Sequence, residues 1–217
     1  MAHATSLPDL FARLEAERFV LRVDTTVTPT MCRGAIIGEA ELALVRQIEH
    51  VIRLGHVQTI GLDTITLDRG QVTTDARTLH IHCAARGLPR RPLRPMFEPG
   101  RITVQPYMWG FACFQFAMLG VAEALVEEDD EKNRLFPPIS YWDSNGDYVT
   151  AFLVGTANAR SRAAHPALAT WAKRSRLNPL GEGDRYSDHP TVIAARDRIK
   201  RYGPAAVETL DGLIRLP

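Results

Sequence analysis

Eighteen consecutive residues, "TLHIHCAARGLPRRPLRP", bring together His80, His82, Cys83, Gly87 and the arginines Arg86, Arg90, Arg91 and Arg94. Four chemistries are open to that set. In a strand, side chains two apart share a face, so His80 and His82 could offer two imidazoles to a metal. A third ligand is missing from the neighbouring sequence, and histidines on a strand also serve simply to pack or hydrogen-bond. Cys83 points to the opposite face of such a strand. A thiol there acts as a nucleophile only where its surroundings lower its pKa, and is otherwise an inert, small hydrophobe. The four arginines have the charge to hold a phosphate, or to solvate a proline-rich connector.

The elements that position these residues are read from composition and periodicity. A chain of 217 residues with 45% hydrophobic content can bury a core, in one large domain or two small ones. Its 26 basic residues nearly cancel 25 acidic ones, which excludes steering by overall charge towards nucleic acid or an anionic membrane. The opening "MAHATSLPDLF" lacks the basic start and apolar run of a secretory signal, so a cytoplasmic location is expected. Cys32, Cys83 and Cys113 are odd in number and far apart, which fits a reducing compartment.

An α+β fold is expected: a small β-meander with flanking helices, followed by a mainly helical carboxy-terminal region. Ser6 with Asp9 three residues on predicts a helix start, with Leu10, Phe11 and Leu14 on one face. "FVLRVD" alternates as a strand, and a helix is expected over 39–53 with a stripe of Leu42, Val45, Ile48 and Ile52. The meander is then "HVQTIGLD", "TITLD" and "LHIHCA". Residues 87–106 hold five of the fourteen prolines and read as an extended connector with one short strand, "RITVQ". The apolar run from Met108 to Val126 reads as a core helix, since Glu123 would lie in the hydrocarbon of a membrane. The acidic run after it reads as a solvated helix end. Further helices are expected over 148–162, 167–175, 189–201 and 204–214, and the division into domains at 1–106 and 107–217.

The sequence contains no GxGxxG after a strand, no GxxxxGK[ST], no GxSxG and no HExxH. No catalytic residue is assigned, and no metal.

The collinear stretches "PDLFARLEAERFVLRVD", "TPTMCRGAII", "IEHVIRLGHVQTI", "LHIHCAARGL", "EEDDEKNRL", "WAKRSRLNP" and "ARDRIKRYGPAAVETLDGL" resemble the carboxy-terminal half of a family of bacterial flavoproteins. These are FAD/NAD(P)-binding oxidoreductases of the pyridine-nucleotide-disulfide or monooxygenase-like type, and the likeness covers nearly the whole chain. It implies that the meander and its last strand close a nucleotide-binding fold. The turn of Cys83, Ala84, Ala85, Arg86 and Gly87 would then pass beside the cofactor, where small residues permit close backbone approach. The sequence departs from the family at His82 and Arg86, where relatives carry acidic residues. It also begins after the GxGxxG unit that holds FAD and after the second dinucleotide unit. The resemblance therefore implies FAD and NAD(P)H chemistry only in company, with a separate nucleotide-binding polypeptide or by self-association, the isolated chain binding neither cofactor tightly. The alternative is a non-enzymatic α+β module, a remnant or a domain for interactions or a small apolar ligand. In that case Trp109, Phe111, Phe114, Phe116, Tyr141 and Trp142 would line a pocket instead of packing as core.

Overall fold

The computed structural model describes the chain except for residues 35, 84–90, 180, 182–184 and 216–217. The fold is α+β, with a small three-stranded antiparallel sheet and a mostly helical carboxy-terminal region. Two compact units are present, one made of residues 1–35 and 90–217 and the other of 36–89. The unit that carries the meander thus ends at residue 89, where the sequence led us to expect a boundary at 106.

Helix α1 (Leu7–Ala16) starts as its sequence dictates. Ser6 is extended and its hydroxyl accepts from the backbone N–H of Asp9, while Leu10 and Leu14 are buried. It stops in a Schellman motif: Arg18 takes a left-handed conformation (φ 57°), Arg18 N–H donates to Glu15, and Phe19 N–H donates to Leu14. The expected strand over "FVLRVD" does not form. That segment is tied back to α1 instead, by Val20 N–H on the Leu14 carbonyl and by an Arg22–Glu15 ion pair at 2.7 Å.

In the smaller unit, α2 (Glu39–Val45) is less than half the expected length. Its apolar stripe fails after Leu42, which is buried, because Ile48 and Ile52 remain 62% and 53% exposed. Without burial, nothing offsets the side-chain entropy that β-branched residues lose in a helix. Strands β1 (Val57–Ile60), β2 (Thr64–Leu67) and β3 (Gly70–Thr73) then form the meander, in the order β1-β2-β3. Its third strand is "GQVT", not "LHIHCA". The two-residue Asp68-Arg69 turn returns the chain at once, and pairing with β2 holds a strand that lacks apolar alternation.

The connector also differs from expectation. Phe97–Glu98 (β4) and Arg101–Ile102 (β5) form a small hairpin around Pro99-Gly100, where Gly100 supplies the positive φ of 71° that the turn requires. "RITVQ" contributes only its first two residues. Helix α3 (Ala112–Leu125) follows, then α4 (Asp129–Leu135), whose first turn is the acidic run. Those carboxylates sit at a helix start, where the backbone dipole favours them. Helices α5 (Asn145–Ala164) and α6 (Pro166–Arg174) lie close to their expected spans. The last two expected helices are one, α7 (Pro190–Arg215), which runs through Pro204. Gly203 before that proline has no Cβ to meet its ring, which eases the usual break. No helix among the described residues is long and apolar enough to cross a membrane.

Two hydrophobic clusters organise the larger unit. The first joins α1, Ile139, Trp142, the front of α5, and Leu210 and Leu213 of α7. The second joins Met96, Phe97, Tyr107, the buried face of α3, Phe136 and Leu168.

Candidate functional site

Residues 79–83 are not a strand. Leu79 and Ile81 are 83% and 75% exposed, and His80, His82 and Cys83 are exposed as well. His80 Nε2 stands 3.0 Å from the Thr74 hydroxyl, a hydrogen bond that already occupies one imidazole nitrogen. Among the described residues, no group of three or more His, Cys, Asp or Glu side chains gathers as a metal site would require. Ala84, Ala85, Arg86 and Gly87 lie outside the described residues, as does Arg90. Arg94 is engaged through its backbone, exchanging two hydrogen bonds with the Gln105 side chain.

The six aromatic residues expected as pocket or core do not converge. Phe114 is buried in the second cluster and stacks on Trp171 at 5.7 Å, whereas Trp142 belongs to the first cluster with Trp109 packed against it. Tyr141 stacks on Trp142, and Phe111 and Phe116 are exposed. A shallow groove of about 660 Å³ runs along α6, lined by Leu125, Pro166, Thr170, Trp171 and Arg174. Another, of about 490 Å³, is lined by Arg94, Pro95, Asp130, Asn133 and Pro137. Neither gathers that aromatic set.

The sequence reading missed a group of buried and half-buried polar side chains that lock the connector to the helices. Asn133 accepts from the backbone N–H groups of Met96 and Phe97 and donates back to the Phe97 carbonyl. Gln115 donates to the Gly110 carbonyl and accepts from Tyr107 N–H, and the Tyr107 hydroxyl donates to the Gln115 carbonyl. One turn apart on α5, Asn158 donates to the carbonyls of Tyr107 and Pro137, and Arg162 to that of Leu135. The Arg162 guanidinium lies 4.4 Å from the Tyr107 ring centre, a cation–π contact in an apolar setting. Burial pulls the Arg162 pKa down to about 10 and pushes that of Tyr107 up. Lys132 is buried beneath Glu123 and Asp129, and its bond to Glu123, then that to Asp129, raises its pKa. These groups satisfy backbone atoms and one another. Apart from those of Lys132, their bonds run to backbone carbonyls and N–H groups of the connector and of residues 135–137, which fixes those segments against the helices.

One exposed polar hub sits in the smaller unit. The Asp68 carboxylate accepts from His56 N–H at 2.7 Å and from the Gln58 amide, and stands 3.1 Å from His56 Nδ1. The His56 backbone bond, foremost, holds the Asp68 pKa below its ordinary 3.8. A carboxylate with a lowered folded-state pKa contributes stability above its unfolded value, and that contribution is lost as pH falls through the folded value. Acidification through the folded-state value, which lies below 3.8, is therefore expected to weaken the Asp68–His56 link, seen as loss of protection at the His56 amide by NMR. Asp68→Asn should flatten that acid response.

No family model matches the chain. No solved structure matches it either. Similar proteins include uncharacterized proteins of Mycobacterium bovis and of Mycobacterium tuberculosis, each 36% identical over 179 residues. The match takes in 82% of this chain but 33% of each relative, so the chain spans about a third of their length.

Proposed function

We propose that the chain is the carboxy-terminal part of a flavin-dependent NAD(P)H oxidoreductase of the cytoplasm, completed by a nucleotide-binding polypeptide. The observation that carries this reading is the segment Leu79–Cys83. It has the alternation of a strand, yet none of its residues makes a backbone hydrogen bond to another described residue, and its apolar side chains face solvent. A strand sequence in that state lacks a sheet, and relatives of which the match takes only 33% have the chain to provide one. The segment leads directly into Ala84, Ala85, Arg86 and Gly87, the turn that the flavoprotein resemblance sets beside the cofactor.

Taken alone, the described residues do not fit a dinucleotide. The meander gives no strand followed by a glycine loop and a helix N-terminus, the arrangement that holds a pyrophosphate. Hydride transfer would belong to FAD and the nicotinamide, supplied with the partner. This chain would contribute walls and water exclusion.

The reading is tested by co-expressing the chain with a polypeptide that carries GxGxxG and purifying both. The chain alone is expected to be colourless and inert towards NADH and NADPH, and the complex to retain flavin through gel filtration. Flavin held tightly by the chain alone, or a stable complex without colour, would defeat the proposal. The second outcome is that of a non-enzymatic interaction module. That module is the reading favoured by the structural use of every buried polar side chain described above.

A further inference from the structure

The three-stranded sheet has two chemically distinct faces, and an irregularity in β1 creates them. Directly paired residues share a face, as do residues two apart on one strand. Val57 pairs with Leu67, Ile60 with Ile65, and Ile65 in turn with Val72. These five apolar residues therefore lie on one side. Thr59, Thr64, Thr66, Gln71 and Thr73 make up the other, through the pairs Thr59–Thr66, Thr66–Gln71 and Thr64–Thr73. Val57 and Ile60, three apart, would fall on opposite faces of a regular strand. The register shift between Val57 and Thr59 brings both to the apolar side.

That side is covered only in part. Leu67 is buried and Ile65 and Val72 are half-buried, but Val57 and Ile60 are 54% and 50% exposed. The outer edge of β1 is open too. Among the described residues no strand pairs with it, and "VQTI" contains neither the charge nor the proline that normally protects an edge. An open edge beside an uncovered apolar face is what a sheet presents when its neighbour is elsewhere.

The relatives indicate which neighbour. Their match takes 179 of the 217 residues, so it includes β1, β2 and β3 whichever end the remaining 38 fall at. In those proteins the counterpart of this sheet is joined to twice as much chain again. We infer that the Val57–Ile60 face and the open edge of β1 are the docking surface for a polypeptide equivalent to that unmatched two thirds. The inference rests on the proposed function only in taking that polypeptide to be the nucleotide-binding one.

Hydroxyl-radical footprinting of two intact proteins tests it: this chain alone and the full-length Mycobacterium tuberculosis relative. Val57 and Ile60 are expected to label in this chain, and labelling is expected to be lost at the aligned positions of the relative. Ile60→Lys should leave the helical circular dichroism of this chain unchanged, whereas a lysine at the aligned position should lower the melting temperature of the relative. Equal labelling in both proteins would overturn the inference. So would protection in this chain alone accompanied by a dimer in sedimentation, since a second copy would then be the occupant. A colourless relative with a protected face would sink the flavoprotein reading and leave the docking surface standing. A yellow relative with a labelled face would do the reverse.

Discussion

Replacing Phe136 by alanine is expected to destabilise the larger unit by about 3–5 kcal/mol, the range for emptying a buried aromatic site. The ring is fully buried and meets Tyr107 edge-on at 4.9 Å and Phe97 at 5.9 Å. Its neighbours in sequence raise the cost. The Leu135 carbonyl accepts from Arg162 and the Pro137 carbonyl from Asn158, so a collapse at 136 pulls on both bonds. The Arg162 guanidinium, 5.5 Å from the Phe136 ring, would lose part of its cover while still charged. Against a typical total of about 5–15 kcal/mol, that loss brings a domain close to unfolding at room temperature. A urea titration should show a large fall in midpoint with little change in slope, and Phe136→Leu should recover part of it.

Trp142→Ala is expected to have a comparable effect, about 3–5 kcal/mol, with a local signature of its own. Trp142 packs edge-on against Tyr148 at 5.5 Å, and its indole N–H donates to the Cys32 carbonyl at 2.8 Å. Gly34 lies so close that an added Cβ would be 3.1 Å from the indole ring. The indole therefore holds the irregular stretch after α1, which has no ladder or helix of its own. Without it, Cys32 should react faster with a thiol reagent, measured in a background with Cys83 and Cys113 replaced by serine. Burial now pushes the Cys32 thiol pKa up, and release would remove that penalty. Trp142→Phe keeps a ring and loses the N–H, so about 1 kcal/mol is the expected cost of that hydrogen bond.

What the sequence made legible was whatever is encoded within one or two turns. Ser6 and Asp9 specify the start of α1, and α5 and α6 fall within a few residues of their expected spans. What escaped depends on partners. "LHIHCA" and "FVLRVD" have the alternation of strands, but alternation records a preference and cannot supply the second strand of a ladder. "GQVT" has little alternation and is a strand because the Asp68-Arg69 turn delivers it to β2. The stripe from Leu42 to Ile52 is helical in spacing, yet it has burial only at its beginning. The polar anchors were invisible for the same reason. Asn133 and Asn158 reach backbone atoms 21 to 51 residues away, and nothing near either asparagine marks it as anything but a surface residue. Of the residues singled out for chemistry, Cys83 is exposed and the four that follow it lie outside the described part, so the candidate site rests on the open segment before them.

The distances in sequence between anchors also set an order of events during synthesis. The meander is complete by Thr73, and every one of its ladder bonds is closed by residues that leave the ribosome close together. The larger unit has no such privilege. Cys32 waits 110 residues for Trp142, and the Ala2 carbonyl waits 207 for the Thr209 hydroxyl. At about 5–20 residues per second, that last interval is roughly 10–40 s. The meander is thus able to fold while the helices that follow it are still being made. Until α5 and α7 emerge, α1 must keep Leu10 and Leu14 from other partners, because Tyr148, Val149, Leu210 and Leu213 complete their cluster.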